Sequence, residues 1–320
     1  MTNIWVTGAS SLIGYGILKS IRNAKKTYRL IGSTIHKNSI APAFTDVCIE
    51  APFSGSEGYL DWFIKVIKDH KVDLVIPSFE EDVIFLANHR KQIELTGVKI
   101  VLNNLELVHL CNDKWIFFEK LNNSNCPYAL PSSLSSDFDW LNNNFGLPLL
   151  LKPRQGNAGK GIVKVYDKAT FEIHKAEIGK KLMVQPLIGN DNEEYTISAF
   201  GDGKGSYFTI MMLTRALSKW GYTEKAEVFN NVSIAVAVKK ICEIFKPIGP
   251  TNFQFRKHKG RFYLLEINPR FSSANSIRTA FGYNDALMAI EYYLEGIIPK
   301  QPKIKQGKAI RYIEDYISLS

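Results

Sequence analysis

Three polar side chains recur at every second position of one short segment near the carboxyl end of the chain. In Leu264–Arg270 these are Glu266, Asn268 and Arg270, and Gln254 lies in a similar alternation, NFQF, twelve residues before Glu266. Alternate residues of a β-strand share one face, so the side chains can converge. Gln254, Glu266 and Asn268 offer oxygen ligands, which suit Mg²⁺ held partly through nucleotide phosphates. Arg270 can stabilise a phosphoryl group in transfer; the alternative is a buried network that holds a turn.

A glycine-rich loop between two apolar stretches is the second candidate for chemistry. The segment Leu149–Val165 reads LLLKPRQGNAGKGIVKV, in which a predicted strand carries Lys152 and the loop Gly156–Gly161 carries Lys160. Loop amides can form an anion-binding nest, and the two ammonium groups add positive charge for a triphosphate. The segment is not a Walker loop, because Gly161 follows Lys160 where Ser or Thr is required. The alternative is an ordinary β-hairpin with exposed lysines.

A second glycine-rich turn opens the chain and raises the question of dinucleotide binding. The segment Thr7–Ile21 reads TGASSLIGYGILKSI, close to the T-G-x-x-G-x-x-G turn of short-chain dehydrogenases and sugar epimerases. Ser11 takes the place of the middle glycine, and no acidic residue follows the second predicted strand to bind an NAD ribose. His36 and Lys37 lie there instead and can meet a 2′-phosphate, which leaves an NADP-dependent reductase as an alternative.

The catalytic pair of such a reductase has no usable counterpart in this sequence. The only Tyr-x-x-x-Lys match joins Tyr15 to Lys19 inside the first predicted helix, where it reaches nothing useful. We therefore favour a structural role for the opening turn. In that interpretation Gly8, Gly14 and Gly16 permit a tight turn and close packing of a helix on a strand.

Strands and helices alternate over the first hundred residues and then give way to a β-rich region. The alternating segments are Ile4–Gly8, Leu12–Asn23, Arg29–Thr34, Tyr59–His70, Val72–Pro77, Glu80–Leu95 and Val98–Leu102. This order predicts a parallel, doubly wound sheet. Asp113–Leu121 is predicted to be helical, and the turn-rich Asn122–Ser133 marks a boundary. Beyond Pro148, short strands precede a helix at Ser233–Phe245, strands at Thr251–Lys257 and Arg261–Asn268, and a last helix at Asp285–Gly296.

Composition excludes several classes of protein. The 320 residues are 45% hydrophobic and 22% charged, which is typical of a globular protein of two domains or one domain with a large insertion. No signal-peptide pattern and no run of 18 apolar residues is present, so we expect no membrane partner. The four cysteines are scattered, which indicates free thiols and a cytoplasmic protein. The net charge of +9 is carried by dispersed lysines, which favours an anionic substrate over nucleic acid.

Together, the glycine loop and the E-x-N-P-R segment resemble the ATP-grasp enzymes, specifically the branch of carbamoyl-phosphate synthase large subunits and stand-alone carboxylate–amine ligases. The resemblance covers nearly the whole chain. It implies an α/β, Rossmann-like pre-ATP-grasp domain at residues 1–111, which in this family does not usually bind dinucleotide. An α+β, two-lobed ATP-grasp domain is expected at 112–298, with a small lid lobe at about 125–187. Residues 299–320 are left as a tail.

The resemblance also implies roles for individual residues. Lys114 would reach the phosphates, Gln185 and the backbone near Leu187 would contact adenine, and Glu194, or its neighbour Glu193, would hold the ribose. The full predicted sets are Lys114, Lys152, Gly156, Gly159, Lys160, Gly161, Gln185, Leu187 and Glu194 for ATP, Gln254, Glu266 and Asn268 for the metal, and Arg270, Lys152 and Lys160 for catalysis. Many family members have an acidic residue where Gln254 stands, so bridging phosphates must complete the coordination of the two expected Mg²⁺ ions, for which Mn²⁺ is an alternative.

The implied reaction joins a small-molecule carboxylate to an amine through an acyl-phosphate, with release of ADP and phosphate. Arg215 and Arg278 are candidates for the carboxylate, because arginine binds carboxylates in a bidentate manner; each can equally be a surface or capping residue. The acidic residues of Ser78–Asp82 begin a predicted helix, which is an ordinary placement, and are a secondary candidate for the substrate amine. The opening glycine turn is expected to be scaffold or part of a substrate cleft. Three other functions stay open: a carboxylate or carbamate kinase-type synthase unit, the NADP-dependent reductase, and a non-catalytic ATP-binding regulator. A homodimer is also left open.

Overall fold

A five-stranded sheet forms the amino-terminal part of the molecule, for which the computed structural model describes residues 1–156, 160–189 and 194–317. All its strand pairs are parallel. The elements are β1 (Asn3–Val6), α1 (Leu12–Arg22), β2 (Arg29–Thr34), β3 (Val47–Glu50), α2 (Tyr59–His70), β4 (Leu74–Ile76), α3 (Glu80–Glu94) and β5 (Lys99–Ile100). The strand order is β3-β2-β1-β4-β5. The parallel, doubly wound sheet predicted from the sequence is confirmed.

A smaller antiparallel sheet follows, with short helices around it. The elements are α4 (Leu105–Asn112), α5 (Lys114–Asn123), α6 (Phe138–Phe145), β6 (Leu149–Pro153), β7 (Val163–Val165), α7 (Lys168–His174) and β8 (Leu182–Pro186). Strand β6 lies between β7 and β8. Leu149, Leu151 and Val165 of this sheet pack with Phe138 and Phe171 of the helices. The strands on either side of the predicted glycine loop therefore share a compact apolar base.

The third sheet is antiparallel and has six strands. They are β9 (Glu194–Asp202), β10 (Tyr207–Leu217), β11 (Thr223–Val228), β12 (Ile248–His258), β13 (Arg261–Asn268) and β14 (Lys308–Ile310), in the order β13-β12-β9-β10-β11-β14. Helix α8 (Val232–Phe245) buries Ile234, Val238 and Ile241 against Ile197 and Phe253 of this sheet. Because β14 pairs with β11, part of the segment predicted as a tail belongs to the large sheet.

The amino-terminal and carboxyl-terminal parts share a core. Helices α9 (Asn275–Ala280) and α10 (Asp285–Glu295) follow the large sheet. A single buried cluster contains Ile4 of β1, Ile17 of α1, Phe200 of β9, and Ala289 and Ile290 of α10. The two parts are therefore joined by apolar packing, and the predicted domain limits at residues 111 and 298 stay a prediction.

Helices α4, α6, α7 and α9 were absent from the expectations, because segments of six to eight residues carry little periodicity. Helix α6 reads FDWLNNNF, and the Asp137 carboxylate accepts a hydrogen bond from the Trp140 amide at 3.0 Å. At the start of α7, Asp167 accepts one from the Thr170 amide at 2.7 Å. Such caps satisfy amides that would otherwise lack partners. Within the described ranges, no helix combines the length and the apolar character needed to cross a membrane.

Candidate active site

A cleft of about 600 Å³ lies where the three sheets meet. The predicted site residues that line it are Lys114, Lys152, Gly156, Lys160, Gln185, Leu187, Glu194, Arg215, Gln254, Glu266, Asn268 and Arg270. Gly161 and Arg278 are not part of the lining. Gly159 and Glu193 lie outside the described residues. The fold thus brings together segments that are more than a hundred residues apart in the sequence.

The predicted metal ligands meet at the end of the β12–β13 pair. Gln254 lies opposite Glu266 in the strand register, and Asn268 follows two residues later on the same face. The Asn268 Nδ2 donates to Glu266 Oε1 at 3.1 Å, and Arg270 Nη2 donates to Asn268 Oδ1 at 3.2 Å. Alternation along the segment Glu266–Arg270 is therefore sufficient to place the side chains of Glu266, Asn268 and Arg270 next to one another.

Lys152 and Glu266 both line the cleft and interact electrostatically. Burial by itself raises the pKa of Glu266, but the Lys152 ammonium and the Asn268 hydrogen bond outweigh it, so that the pKa is below its usual value. Burial lowers the pKa of Lys152, and the negative charge of Glu266 opposes this change. The two groups therefore stabilise each other's charged forms.

Lys114 connects the glycine loop to helix α5. Its Nζ donates to the Gly156 carbonyl, and its own amide donates to the Arg154 carbonyl at 2.8 Å. Asp113 caps α5 by accepting from the Trp115 amide, and it also forms a salt bridge of 2.6 Å with Arg154. This arrangement holds an ammonium group beside the loop that the sequence predicts for phosphate binding.

Arg215 lies in a row of alternating charges across the large sheet. Glu194 of β9 pairs with Arg215 of β10 on one side and with Arg256 of β12 on the other. Arg215 Nη2 lies 2.5 Å from Glu194 Oε1, and Arg256 Nη2 lies 2.8 Å from Glu194 Oε2. Arg215 Nη2 also donates to Gln254 Oε1 at 2.6 Å. Arg215 therefore positions one predicted ribose ligand and one predicted metal ligand.

Glu194 keeps the capacity to accept a ribose hydroxyl in this arrangement. Its Oε1 accepts both Nε and Nη2 of Arg215, whereas its Oε2 accepts Nη2 of Arg256. A carboxylate has about four acceptor positions, so one more donor can be accommodated. Arg256 was missed in the sequence, although its place two residues after Gln254 puts it on the same face of the strand.

Arg278 lies beneath the cleft floor and not in its wall. It is fully buried and donates to Ser272 Oγ at 2.5 Å, Thr196 Oγ1 at 2.9 Å and Asn252 Oδ1 at 3.0 Å. Burial lowers its pKa to about 10, and the charge of Asp285 opposes this change. The sequence-based suggestion that Arg278 contacts a substrate carboxylate is thus not matched by its position, because these interior partners occupy its guanidinium.

An apolar region surrounds the predicted adenine residues. Gln185 is buried and donates through Nε2 to Ser132 Oγ at 2.9 Å, and the Leu187 amide donates to the Pro148 carbonyl at 3.0 Å. The lining of the same cleft also contains the apolar side chains of Phe117, Leu130, Leu150, Ile188, Leu265 and Ile267. A flat, weakly polar ring such as adenine fits walls of this kind.

The remaining lining is rich in positive charge. Its basic residues are Lys114, Lys152, Lys160, Lys164, Arg215, Arg256 and Arg270, and its carboxylates are Glu80, Glu194 and Glu266. This excess of cations suits a polyphosphate.

The donor set near Glu266 fits Mg²⁺ that is also bound by phosphate. Glu266 supplies the carboxylate, and Gln254 and Asn268 supply amide oxygens. The described residues contain no group of three or more His, Cys, Asp or Glu side chains arranged for a metal ion. Phosphate oxygens are therefore needed to complete the coordination.

The amino-terminal part adds residues to the cleft that were not among the predicted site sets. Ser11, Leu12 and Ile13 from the opening turn line the cleft, together with Phe79 and Glu80 at the start of α3. Glu80 belongs to the acidic segment Ser78–Asp82, which the sequence offered as a secondary candidate for the substrate amine. The opening turn is thus part of the cleft wall.

Comparison with known proteins relates part of the chain to a family. A family model described as "ATP-grasp in the biosynthetic pathway with Ter operon" matches residues 179–316. That segment holds Gln185, Glu194, Gln254, Glu266, Asn268 and Arg270. The chain is homologous to carbamoyl phosphate synthase large chains, being 24% identical over 195 residues to that of Acidobacterium capsulatum (57% of this chain, 18% of the relative). The Thermoanaerobacter relative is 27% identical over 245 residues (64% of this chain, 22% of the relative). The chain thus spans about a fifth of these relatives' length.

Solved structures share the fold of nearly the whole chain. N5-carboxyaminoimidazole synthetase from Staphylococcus aureus has a TM-score of 0.73 at 16% identity, covering 95% of this chain and 80% of that one. A biotin carboxylase from Campylobacter jejuni has a TM-score of 0.73 at 18% identity, covering 95% and 74%. At these identities the likeness establishes the fold. The predicted fold class and the predicted resemblance are confirmed.

Proposed function

We propose that this protein is an ATP-dependent carboxylate–amine ligase of the ATP-grasp type that acts on small molecules. The observation that carries the proposal is the meeting, in one cleft, of Lys114, Lys152 and the glycine loop with Glu266, Asn268 and Arg270. Neither the Lys152–glycine-loop segment nor the Glu266–Arg270 segment would be a specific sign of an ATP site by itself. Together they provide cations for a triphosphate and oxygen ligands for its metal ion.

In the proposed first step, a substrate carboxylate attacks the γ-phosphate of ATP, and ADP leaves. Two anions must approach each other, so their charge has to be screened. Lys152, Lys160 and Arg270 supply that screening from the cleft wall. Mg²⁺, when held by Gln254, Glu266 and Asn268, would neutralise further phosphate charge.

In the proposed second step, an amine attacks the acyl-phosphate carbonyl, and phosphate leaves with formation of an amide bond. The intermediate must be shielded from water, which closure of the glycine loop over the phosphates would provide. Glu194 and Gln185 would hold the nucleoside, so that the γ-phosphate is aligned with Arg270. No cysteine or histidine nucleophile is needed for this route.

A carboxylate or carbamate kinase-type unit is the second candidate, because the same cations serve the first step alone. We favour the ligase, since the cleft continues past Arg270 to Glu80 and the opening turn and has room for a further substrate. The NADP-dependent reductase has less support, because the glycines of the Gly8–Gly14 turn serve the close packing of the turn's own backbone atoms. A homodimer stays a prediction, which sedimentation velocity can test.

The test is ADP release from Mg-ATP against a matrix of small acids and amines. We expect turnover with particular acid–amine pairs and a loss of about a hundredfold or more in Glu266→Gln. Glu57→Gln, at an exposed position outside the cleft lining, is the matched control and should keep full activity. ADP release that needs an acid but no amine would favour the kinase, and failure to bind Mg-ATP would exclude both enzymes.

A further inference from the structure

We propose that the part of the cleft beyond Arg270 is a pocket for a substrate that carries an ammonium group on an apolar, preferably aromatic, body. The inference rests on the proposed function and names the class of the amine substrate. Its evidence is separate from the nucleotide residues. It consists of the hydrogen bonds that link four chain segments, the exposure of their apolar side chains and the position of the Glu80 carboxylate. The four segments are the opening turn with α1, the start of α3, the loop after β13 and the β10–β11 hairpin.

Arg270 lies between this pocket and the metal-ligand corner, which consists of Gln254, Glu266 and Asn268. Its Nη2 lies 3.2 Å from Asn268 Oδ1 and 3.5 Å from Glu80 Oε2. Glu80 is the first residue of α3 and comes from the amino-terminal part of the molecule. The cleft therefore continues past the phosphoryl-transfer arginine to a wall that the pre-ATP-grasp sheet supplies.

Hydrogen bonds tie the start of α1 to the start of α3. Ser11 Oγ lies 3.2 Å from Ser78 Oγ, and Ser78 Oγ donates to the Thr7 carbonyl at 2.6 Å. Phe79 and Glu80 follow Ser78 directly. The opening turn and the tip of α3 thus form one continuous surface at this end of the cleft.

Arg311 connects the opposite wall to the same region. Its Nη1 donates to Tyr15 Oη at 2.7 Å, its Nη2 to the Ser273 carbonyl at 2.6 Å, and its Nε to the Thr223 carbonyl at 3.0 Å. The Arg311 guanidinium therefore links helix α1, the loop after β13 and the β10–β11 hairpin through hydrogen bonds. Tyr222, which precedes Thr223, lines the cleft.

The side chains that these segments direct into the cleft are large and apolar. Trp220 is 69% exposed, Phe79 is 49% exposed and Leu217 is 37% exposed, and all three line the cleft with Leu12 and Ile13. Exposed apolar side chains that gather in a concave site are typical of ligand recognition. A substrate with an aromatic or branched aliphatic body would cover them.

Glu80 is the carboxylate suited to an ammonium group. Glu194 is held between Arg215 and Arg256, and Glu266 lies beside Lys152 in the metal-ligand corner. The Glu80 side chain is 28% exposed, and its contact with Arg270 is 3.5 Å long. Its carboxylate therefore has acceptor positions left for a charged amine at the rim of the apolar pocket.

The test measures binding of 2-phenylethylamine to the full chain saturated with MgADP, by calorimetry. Two further probes dissect the amine: 3-phenylpropionate lacks the ammonium group, and propylamine lacks the ring. Phe79→Ala and Trp220→Ala remove the apolar walls, and Glu80→Gln removes the charge. Phe53→Ala and Trp140→Ala are matched controls, because these residues are 71% and 46% exposed and lie outside the cleft lining.

We expect 2-phenylethylamine to bind more tightly than either dissected probe. Phe79→Ala and Trp220→Ala should each weaken its binding about tenfold, as for the loss of an aromatic contact, and the two controls should leave it unchanged. Glu80→Gln should remove the preference for the amine over 3-phenylpropionate. MgADP affinity should stay constant in all five variants, which also shows that they are folded.

Three results would overturn the inference: no binding of 2-phenylethylamine by a protein that binds MgADP, equal effects of the cleft and control variants, or tighter binding of 3-phenylpropionate. Failure to bind MgADP is a different result. It would contradict the proposed function itself, so the two failures can be told apart in one titration.

Discussion

The two glycine-rich segments of this chain have similar composition and opposite surroundings. In the opening turn, a Cβ on Gly14 would lie 2.2 Å from the Gly8 carbonyl oxygen, and one on Gly16 would lie 2.2 Å from Asn275 Oδ1. In the loop after β6, a Cβ on Gly156 would meet no described atom within 4 Å, but its φ is +104°. Gly14 and Gly16 are therefore needed for close packing, whereas Gly156 is needed for backbone conformation.

This difference shows why a glycine pattern alone does not identify a nucleotide site. In the opening turn, the absence of side chains on Gly14 and Gly16 lets α1 pack closely against the turn after β1 and against α9. The contact between α1 and α9 joins the amino-terminal part of the molecule to the carboxyl-terminal part. In the second loop Gly156 lies beside Lys114, whose Nζ donates to its carbonyl, and no described atom would lie within 4 Å of a Cβ there. These open surroundings are compatible with an anion-binding loop.

Gly14→Ala should give the largest effect on stability among the glycine substitutions. The new Cβ would overlap backbone atoms of Gly8 and Ala9, which cannot rotate away. We expect a loss of about 3 kcal/mol in the free energy of unfolding, measured by urea denaturation. A wild-type midpoint in this variant would contradict the packing role of the opening turn.

Gly16→Ala should cost less, about 1 to 2 kcal/mol, because its clash is with a side chain. That side chain, Asn275, is fully buried, and its Nδ2 donates to the Ile13 carbonyl at 3.2 Å. The Gly16→Ala/Asn275→Ala pair should therefore be less destabilised than the sum of the single variants. Strict additivity in this double-mutant cycle would argue against close α1–α9 packing.

Gly156→Ala should separate conformation from packing in the second loop. Gly97 is the matched control, since it has a φ of +89° and no neighbour within 4 Å of its Cβ position. Each alanine should cost about 1 kcal/mol of stability through its positive φ. ATP affinity, measured by calorimetry, should fall several-fold in Gly156→Ala alone. Equal ATP affinity in the two variants would remove the glycine loop from the proposed nucleotide site.

The smallest expected effect is a pH dependence beside the second loop. Burial lowers the pKa of Lys152, so it loses its charge at a lower pH than an exposed lysine. ATP affinity should therefore decrease as the pH rises through that lowered pKa, and binding near it should take up a proton because phosphate favours the ammonium form. Lys152→Arg does not titrate in this range and should give a flatter profile; identical profiles would show that Lys152 does not contact the phosphates.

Much of the fold was predictable, because periodicity depends on neighbouring residues. Tyr59–His70 and Arg261–Asn268 have the predicted limits, and β2 does as well. The short strands β3 and β11 were missed, because four to six residues with mixed polarity carry little pattern. They are held by pairing with β2 and β10, which involves residues distant from them along the chain.

The same contrast applies to the candidate site. Glu266, Asn268 and Arg270 could be placed together from the sequence, because alternation along one strand is a local property. Arg215 and Arg278 could not, because whether an arginine meets a substrate or an interior partner depends on strands that are paired across the sheet.

The sequence by itself determined the parallel amino-terminal sheet, the strand that orders the metal ligands and the presence of two glycine-rich turns. Each of these follows from residue types within about ten neighbouring positions. Only the tertiary structure decided which glycine turn is filled by packing, that Arg215 lies between Glu194 and Gln254, and that Glu80 faces the cleft. These features arise when distant segments pack together, and the free energy of that packing depends on partners that no local pattern specifies.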